Sequence, residues 1–290
     1  MAPRFDTVTF LSDYGTGDEF VGVVHSVIRS IAPHTTVIDL THEVPAYNVL
    51  AGALTLGRAT QYLCPGVVLA VVDPGVGTDR RGVAIEVGGG QSYLVGPDNG
   101  LLAGAVAMCG GATAAVELAN PAYQLAAPGP TFAGRDVFAP AAAHLCNGVA
   151  LAELGPAVDP VSLRPGLMPL PREEDGALLS QVLWVDRFGN CQLNVDPDEI
   201  AHLGDRVQLR WGDDVRTVAR ARTYQGIEPG QAALVVDSYG MLSICMGKRS
   251  AADELTIAVG TEVVLADPGA EEQGSASAPQ PVALTPRSNR

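Results

Sequence analysis

Three apolar, β-rich runs near the start of the chain each end in polar residues, and helical patterns separate them. The runs cover 7–11, 36–40 and 67–72, and apolar residues recur at helical spacing through 18–31 and 49–63. Strand, helix, strand, helix, strand is a βαβ series, which requires a mostly parallel sheet covered on both faces. The chain is therefore predicted to begin with an α/β domain.

Two further features complete this predicted domain. Glycines 88–90 separate the strand-like segments 83–87 and 93–95, which indicates a hairpin. No helix follows these glycines, so they do not form a phosphate-binding loop. A last helix is predicted over 136–147.

The composition changes after residue 165. A segment rich in proline, glycine and acidic residues, 166–177, is predicted to be a linker between the α/β domain (1–165) and a second domain (178–266). In the second domain, short strand-like segments follow one another at close intervals, which predicts a smaller antiparallel, barrel-like β domain. They cover 180–185, 206–210, 217–221, 232–236, 242–244 and 262–265. Residues 267–290 lack periodicity and are predicted to be a disordered tail.

Composition excludes several classes of function. The 290 residues carry a formal net charge of −14, which disfavours nucleic acid and anionic membranes as partners. No apolar run approaches the roughly 20 residues of a membrane span, and the N-terminus lacks the pattern of a signal peptide. The five cysteines show no spacing suited to zinc or disulfides, so we expect reduced core residues in a cytoplasmic protein.

Acidic residues follow three of the predicted strands. Asp13, Asp73 and Asp98 come at the strand ends, and Asp18 lies one short loop beyond the first. Ligands of open parallel sheets bind at that edge. The acids could be helix caps and turn formers, ligands of a divalent cation as in a metal-dependent phosphatase, or acceptors for ribose hydroxyls. The residues alone leave these alternatives open.

A turn also links Asp73 to an arginine. Pro74, Gly75 and Gly77 predict a sharp reversal between Asp73 and Arg80. Such a turn would bring the guanidinium beside the carboxylate and form an ion pair.

At these residues the sequence resembles the S-adenosylmethionine hydroxide adenosyltransferases, relatives of the fluorinases and chlorinases. The resemblance extends to about residue 266 and covers both predicted domains. Its motifs are SDYGTGD at 12–18, DPGVGT at 73–78, PDNGLL at 97–102, TFAGRD at 131–136 and DRFGN at 186–190.

The resemblance implies a role for each matching residue. Asp13 would hold the ribose hydroxyls, Tyr47 would lie near the sugar, and Phe188 and Asn190 would stack on and hydrogen-bond the adenine. Asp18, Asp186 and Ser238 would bind the methionine part, and Phe132 and Gly134 would belong to the substrate site. It also implies a homotrimer whose sites combine the α/β domain of one subunit with the β domain of its neighbour.

The implied reaction is displacement at the sugar carbon that carries the sulfonium, with S-adenosylmethionine as substrate and neither cofactor nor metal. Water-using members hold the nucleophile with an Asp, an Arg and a His. Asp73 and Arg80 match the first two, but Ala133 stands at the third position. His144, the nearest other histidine in the sequence, falls within a predicted helix and is expected to be structural.

Three alternatives to hydrolysis remain. A halide could be the nucleophile, although the halogenating relatives carry a tyrosine in place of Asp73, and a carboxylate there would repel an anion. The chain could bind S-adenosylmethionine or adenosine without turnover. The metal-dependent phosphatase is the third alternative, and the resemblance weighs against it.

Overall fold

The structure is a computed structural model that describes residues 4–269. The chain divides into two compact units, one ending at Met168 and the other beginning at Pro169. The segment 166–177, expected to be a linker, contains the strand Arg172–Glu174. Of the expected tail, residues 270–290 lie outside the described part of the chain.

The first unit contains six strands and four α-helices in its described residues. The strands are β1 Thr7–Ser12, β2 Thr36–Thr41, β3 Val67–Val71, β4 Gly82–Val87, β5 Ser92–Pro97 and β6 Ala112–Glu117. The helices are α1 Phe20–Ile31, α2 Val49–Thr60, α3 Ala103–Met108 and α4 Ala139–Cys146, and a π-helical turn, Gly134–Phe138, leads into α4. The side chain of Asn48 caps α2 by accepting a hydrogen bond from the Ala51 amide at 2.9 Å.

The strands form one sheet in the order β2-β1-β3-β5-β4-β6. The pairs β1–β2, β1–β3 and β3–β5 are parallel, whereas β4 is antiparallel to both β5 and β6. The sheet is therefore mixed, and the prediction of a mostly parallel sheet fails at β4. The reason is the predicted hairpin at glycines 88–90, where Gly89 adopts a φ of 63°. A hairpin reverses the chain without the crossover helix that a parallel pair requires.

Helices cover both faces of the central strands. Every residue of β3 is buried, because α1 and α4 pack together on one face while α2 and α3 pack together on the other. The edge strand β2 is different, since most of its residues are exposed or half-buried. The expectation that all three early strands are covered on both faces is therefore wrong for β2.

The second unit is a β-barrel. Its strands are β7 Arg172–Glu174, β8 Ala177–Val185, β9 Cys191–Leu193, β10 Arg206–Trp211, β11 Asp214–Ala221, β12 Ala232–Val236, β13 Leu242–Met246 and β14 Glu262–Ala266. They follow the order β14-β10-β11-β12-β13-β9-β8-β7, and pairing of β14 with β8 closes the barrel. The pairs are antiparallel except β11–β12, and a short helix α5, Ala251–Leu255, precedes β14.

The cysteines are free, and three of the five are buried. Burial raises the pKa of Cys146 to about 11 and those of Cys191 and Cys245 to about 12, so these thiols stay protonated at neutral pH. Cys64 is exposed and Cys109 half-buried, which corrects the expectation that all five belong to the core. No helix within residues 4–269 is long and apolar enough to cross a membrane.

The close approach of β3 and β5 gives a stability prediction. A Cβ atom on Gly96 would lie 2.2 Å from the Ala70 carbonyl oxygen, whereas one on Gly57 in α2 would meet nothing within 4 Å. We expect Gly96→Ala to lower the free energy of unfolding by about 1–3 kcal/mol or more. Gly57→Ala, the matched control, should leave it unchanged or raise it by up to about 1 kcal/mol. Urea denaturation followed by far-UV circular dichroism measures both, and equal effects would contradict the proposed strand contact.

Candidate active site

A cavity of about 310 Å³ opens where β1 and β3 end in the first unit. This is the edge of the sheet at which ligands of α/β folds bind. Its lining residues are Asp13, Tyr14, Phe20, Ala46, Tyr47, Val71, Asp73, Val76, Thr131, Phe132, Ala133 and Gly134. The structure therefore brings together the predicted residues Asp13, Tyr47 and Asp73 with the 131–136 motif.

Asp73 and Arg80 form the predicted ion pair. The Arg80 Nε donates to both carboxylate oxygens of Asp73, at 2.8 and 3.0 Å, and the Nη2 atom donates to Oδ2 as well. The two side chains are only 6% and 18% exposed. A bidentate contact of this kind fixes the direction of the carboxylate as well as its charge.

The loop between Asp73 and Arg80 brings the two side chains into contact. The Thr78 hydroxyl donates to the Gly75 carbonyl at 2.7 Å, and Gly77 adopts a φ of 78°, a conformation that favours glycine. Beyond the turn, the Arg80 guanidinium lies over the Phe138 ring, 5.1 Å from its centroid. A Cβ atom on Gly82 would lie 2.9 Å from that ring, so only glycine lets it approach.

Asp13 ties the end of β1 to the loop that follows β2. Its Oδ2 accepts a hydrogen bond from the Tyr47 backbone amide at 2.9 Å. Tyr47 has a φ of 65°, which is strained for a residue other than glycine, and its side chain is 75% exposed. Strain of this kind occurs at functional sites when the surroundings stabilise it.

Three aromatic rings form one wall of the cavity. The centroid of Tyr14 lies 5.7 Å from those of Phe20 and Phe132, which are themselves 5.0 Å apart. Tyr14 and Phe20 are not among the site residues predicted from the sequence. Tyr14 stands directly after Asp13 in the first motif, which is the available signal, whereas Phe20 belongs to the helical apolar pattern of α1.

Two of the predicted acids do not enter the cavity wall. Asp98 accepts hydrogen bonds from Arg81 Nε at 3.0 Å and from the Arg164 backbone amide at 2.8 Å, and it is buried. Asp18 is exposed in the loop before α1. The four-carboxylate cluster suggested by the sequence is therefore reduced to Asp13 and Asp73.

In the second unit, Asp186 builds the loop that carries Phe188 and Asn190. Its Oδ1 accepts from the backbone amides of Phe188 and Asn190 at 2.8 and 2.9 Å, and its Oδ2 accepts from Asn190 Nδ2 at 2.8 Å. The Phe188 side chain is 76% exposed. Gly189 closes the loop with a φ of 80°, and a Cβ atom there would collide with Ser250. The carboxylate of Asp186 thus supports the loop, and its predicted contact with methionine stays a prediction.

A second loop of the barrel, between β12 and β13, has the same construction and carries Ser238. Asp237 Oδ1 accepts from the amides of Tyr239 and Met241 at 2.8 and 3.1 Å. Its Oδ2 accepts from Gln192 Nε2 at 2.5 Å. Since Gln192 lies in β9, directly after the Asp186 loop, the two loops are fixed next to each other. Ser238 itself is exposed.

Within residues 4–269, one group of His and Asp side chains has ligand atoms close enough to hold a metal ion: His25, Asp39 and His42. His25 Nε2 lies 2.8 Å from Asp39 Oδ1. The buried His42 has its Nε2 3.0 Å from the same oxygen without an aligned hydrogen bond, while its Nδ1 lies 2.8 Å from Ser12 Oγ. The group contains none of the predicted site residues. His144 packs against the Tyr123 ring at 4.9 Å, and burial lowers its pKa.

Comparison with known proteins agrees with both units. The family described as SAM hydroxide adenosyltransferase matches through its N-terminal domain at residues 8–155 and through its C-terminal domain at 180–264. The (R)-S-adenosyl-L-methionine hydrolase of Salinispora tropica is 43% identical over 90% of this chain and 97% of its own. A fluorinase of an Actinoplanes species is 30% identical over 70% of this chain and 76% of its own. The crystal structure of an uncharacterised conserved protein from Thermotoga maritima superposes with a TM-score of 0.82, at 33% identity, over 89% of this chain and 99% of that one.

The Asp186 loop gives a prediction that separates support of the loop from ligand binding. Asp186→Ala removes the acceptor of three hydrogen bonds, so we expect the free energy of unfolding to fall by about 1–3 kcal/mol. Both tryptophans of the chain, Trp184 and Trp211, belong to the barrel, so tryptophan fluorescence in urea monitors this unit. Asp213→Ala, at an exposed turn, is the control. If Asp186→Ala is as stable as this control, the carboxylate does not support the loop.

Proposed function

The chain belongs to the SAM hydroxide adenosyltransferase family, and from this membership we propose that it is an enzyme that hydrolyses S-adenosylmethionine to adenosine and methionine. The observation that carries the proposal is the ion pair between Asp73, which lines the cavity, and Arg80. It offers a negative and a positive group at one point, which suits a bound water that must be oriented and lose a proton.

The reaction balances without a further reactant. The oxygen of water forms a bond to C5′ of the ribose as the bond from C5′ to sulfur breaks, and the electron pair of that bond leaves with methionine as a neutral thioether. One proton is released, and we propose that Asp73 accepts it. Because the leaving group is neutral, we propose that no metal or cofactor takes part. The role of the protein is then to position and partly desolvate the nucleophile.

The charge of Asp73 favours water over halide as the nucleophile. Its side chain is 6% exposed, and a carboxylate in such surroundings repels an anion more strongly than it would in bulk water. The cation of Arg80 is already engaged by Asp73. A halide in the cavity would therefore meet an ion pair of zero net charge. The member of the pair that lines the cavity, Asp73, is negative.

The remaining site residues offer groups that suit the parts of the substrate. We propose that Asp13 accepts hydrogen bonds from the ribose hydroxyls and that the exposed Phe188 ring stacks on the adenine. Asn190 donates its Nδ2 to Asp186, which orients its Oδ1 as an acceptor for the adenine amino group. The carboxylates of Asp18 and Asp186, with the hydroxyl of Ser238, suit the ammonium and carboxylate of methionine.

We further propose a homotrimer in the cytoplasm, with each site formed by the first unit of one subunit and the barrel of its neighbour. Support comes from the distribution of the site residues, since the ribose and water groups belong to one unit and the adenine groups to the other. Tyr47 and Phe188 also expose 75% and 76% of their side chains. Large exposed aromatic residues are typical of surfaces that a partner or ligand covers.

The role of Asp73 is tested by Asp73→Asn, which keeps the shape of the side chain but removes its charge. We expect adenosine formation to fall by about 100-fold or more, because the base and the anionic partner of Arg80 are both lost. Asp79→Asn, six residues along in the same loop and exposed, should keep wild-type activity. Mass spectrometry of the nucleosides, with and without chloride, measures both. Full activity in Asp73→Asn would contradict the mechanism, and a chlorinated nucleoside would indicate halide transfer.

The shared site is tested by mixing two inactive variants. Asp73→Asn damages the first unit and Phe188→Ala the barrel, so refolding the two variants together would produce some sites that carry neither change. We expect the mixture to regain a fraction of the wild-type activity, and light scattering to give the mass of a trimer. No recovery in mixtures proven to contain both chains would show that each subunit completes its own site.

A further inference from the structure

We propose that the hydroxyl group of Tyr14 holds the attacking water together with Asp73 and Arg80, and that it takes the role that the family resemblance implies for a histidine at the position of Ala133. The inference rests on the proposed hydrolysis and deepens it. It assigns Tyr14, for which the sequence suggested no role, as a catalytic residue in contact with the nucleophile.

The position of the hydroxyl carries the inference. Tyr14 lines the same cavity as Asp73 and Ala133. A Cβ atom on Gly134 would lie only 2.1 Å from the Tyr14 hydroxyl oxygen. The hydroxyl therefore lies against the backbone of Gly134, the residue that follows Ala133, and all three residues line the same cavity.

The ring that carries the hydroxyl is fixed in place. It packs edge-on against Phe132, with centroids 5.7 Å apart, against Phe20 at 5.7 Å and against Phe10 at 6.3 Å. A rigid ring holds its hydroxyl within a narrow range of positions, which is what a group that orients a nucleophile requires.

Tyr14 is half-buried, and its hydroxyl has no hydrogen-bond partner among residues 4–269. Tyrosine hydroxyls away from open solvent normally find a partner. Around this one, the charged groups are Asp13, Asp73 and Arg80. Burial and the two carboxylates raise the pKa of Tyr14 well above its ordinary value, and Arg80 opposes the shift. The phenol is therefore neutral at physiological pH and can both donate and accept a hydrogen bond.

Three protein groups are enough to fix the orientation of a water molecule. Its two hydrogens can point to the Asp73 carboxylate and to the Tyr14 oxygen, while one lone pair accepts from Arg80, whose Nη1 is not used in the contacts with Asp73. The fourth tetrahedral direction then carries the remaining lone pair toward C5′. With only two holding groups the water could rotate about the line between them, so the third contact determines the direction of attack.

Tyr14→Phe tests the hydroxyl while keeping the ring contacts. We expect kcat to fall about 10- to 100-fold, as for loss of one hydrogen bond to a reacting group, with KM and the melting temperature unchanged. Tyr62→Phe, an exposed tyrosine outside the cavity, is the matched control and should keep wild-type kcat. Adding Ala133→His to Tyr14→Phe should restore part of the lost kcat, which a purely structural role would not produce.

Crystal structures of wild type and Tyr14→Phe with S-adenosylhomocysteine bound, whose 5′-carbon is still bonded to sulfur, complete the experiment and do not depend on turnover. We expect a water within hydrogen-bond distance of Tyr14, Asp73 and Arg80 in the wild type, and its loss or displacement in the variant. Unchanged kcat in Tyr14→Phe, or a wild-type water that does not contact Tyr14, would overturn the inference. If the wild type forms no adenosine from S-adenosylmethionine, the proposed hydrolysis fails, while the crystallographic result still decides whether Tyr14 holds the water.

Discussion

The contact between Asp73 and Arg80 is the constraint on which the site depends. A carboxylate that is 6% exposed must be paired, because an uncompensated buried charge costs several kcal/mol. The surrounding sequence serves this pairing: Gly77 allows the turn, and Gly82 lets the Phe138 ring approach the guanidinium. Asp73 of this pair also lines the cavity, together with Asp13 and the rings of Tyr14, Phe20 and Phe132. The Asp73–Arg80 contact is therefore needed both for the stability of the buried carboxylate and for its proposed role in the reaction.

The acidic residues of this chain perform two different tasks, and hydrogen-bond partners separate them. Asp186 and Asp237 accept mainly amide groups of their own loops and so shape the barrel surface that carries Phe188 and Ser238. Asp73 accepts from a side chain at the wall of a cavity. A carboxylate that accepts from the amides of its own loop supports that loop, whereas one held from a single side keeps its other side for a ligand.

Much of the fold could be predicted from the sequence because its signals are local. Apolar runs and helical periodicity located the first three strands and two helices to within a few residues, and glycines 88–90 predicted the hairpin. Two features of the sheet were not predicted: β4 is antiparallel to its neighbours, and β2 lies at an exposed edge. Both depend on the order of the strands in the sheet, which contacts between distant segments determine. The turn signals predicted the Asp73–Arg80 pair. By contrast, the partner of Asp98 and the place of Tyr14 beside Gly134 depend on residues distant in sequence.

In the proposed reaction, water attacks C5′ of S-adenosylmethionine in the cavity of the first unit. Incubation of the full chain with S-adenosylmethionine in oxygen-18 water, followed by mass spectrometry of the nucleoside, tests it most directly. We predict adenosine that carries one oxygen-18 atom at its 5′-hydroxyl, with methionine unlabelled, whether or not chloride is present. Unlabelled adenosine, or a nucleoside that carries halide in place of the hydroxyl, would contradict the account.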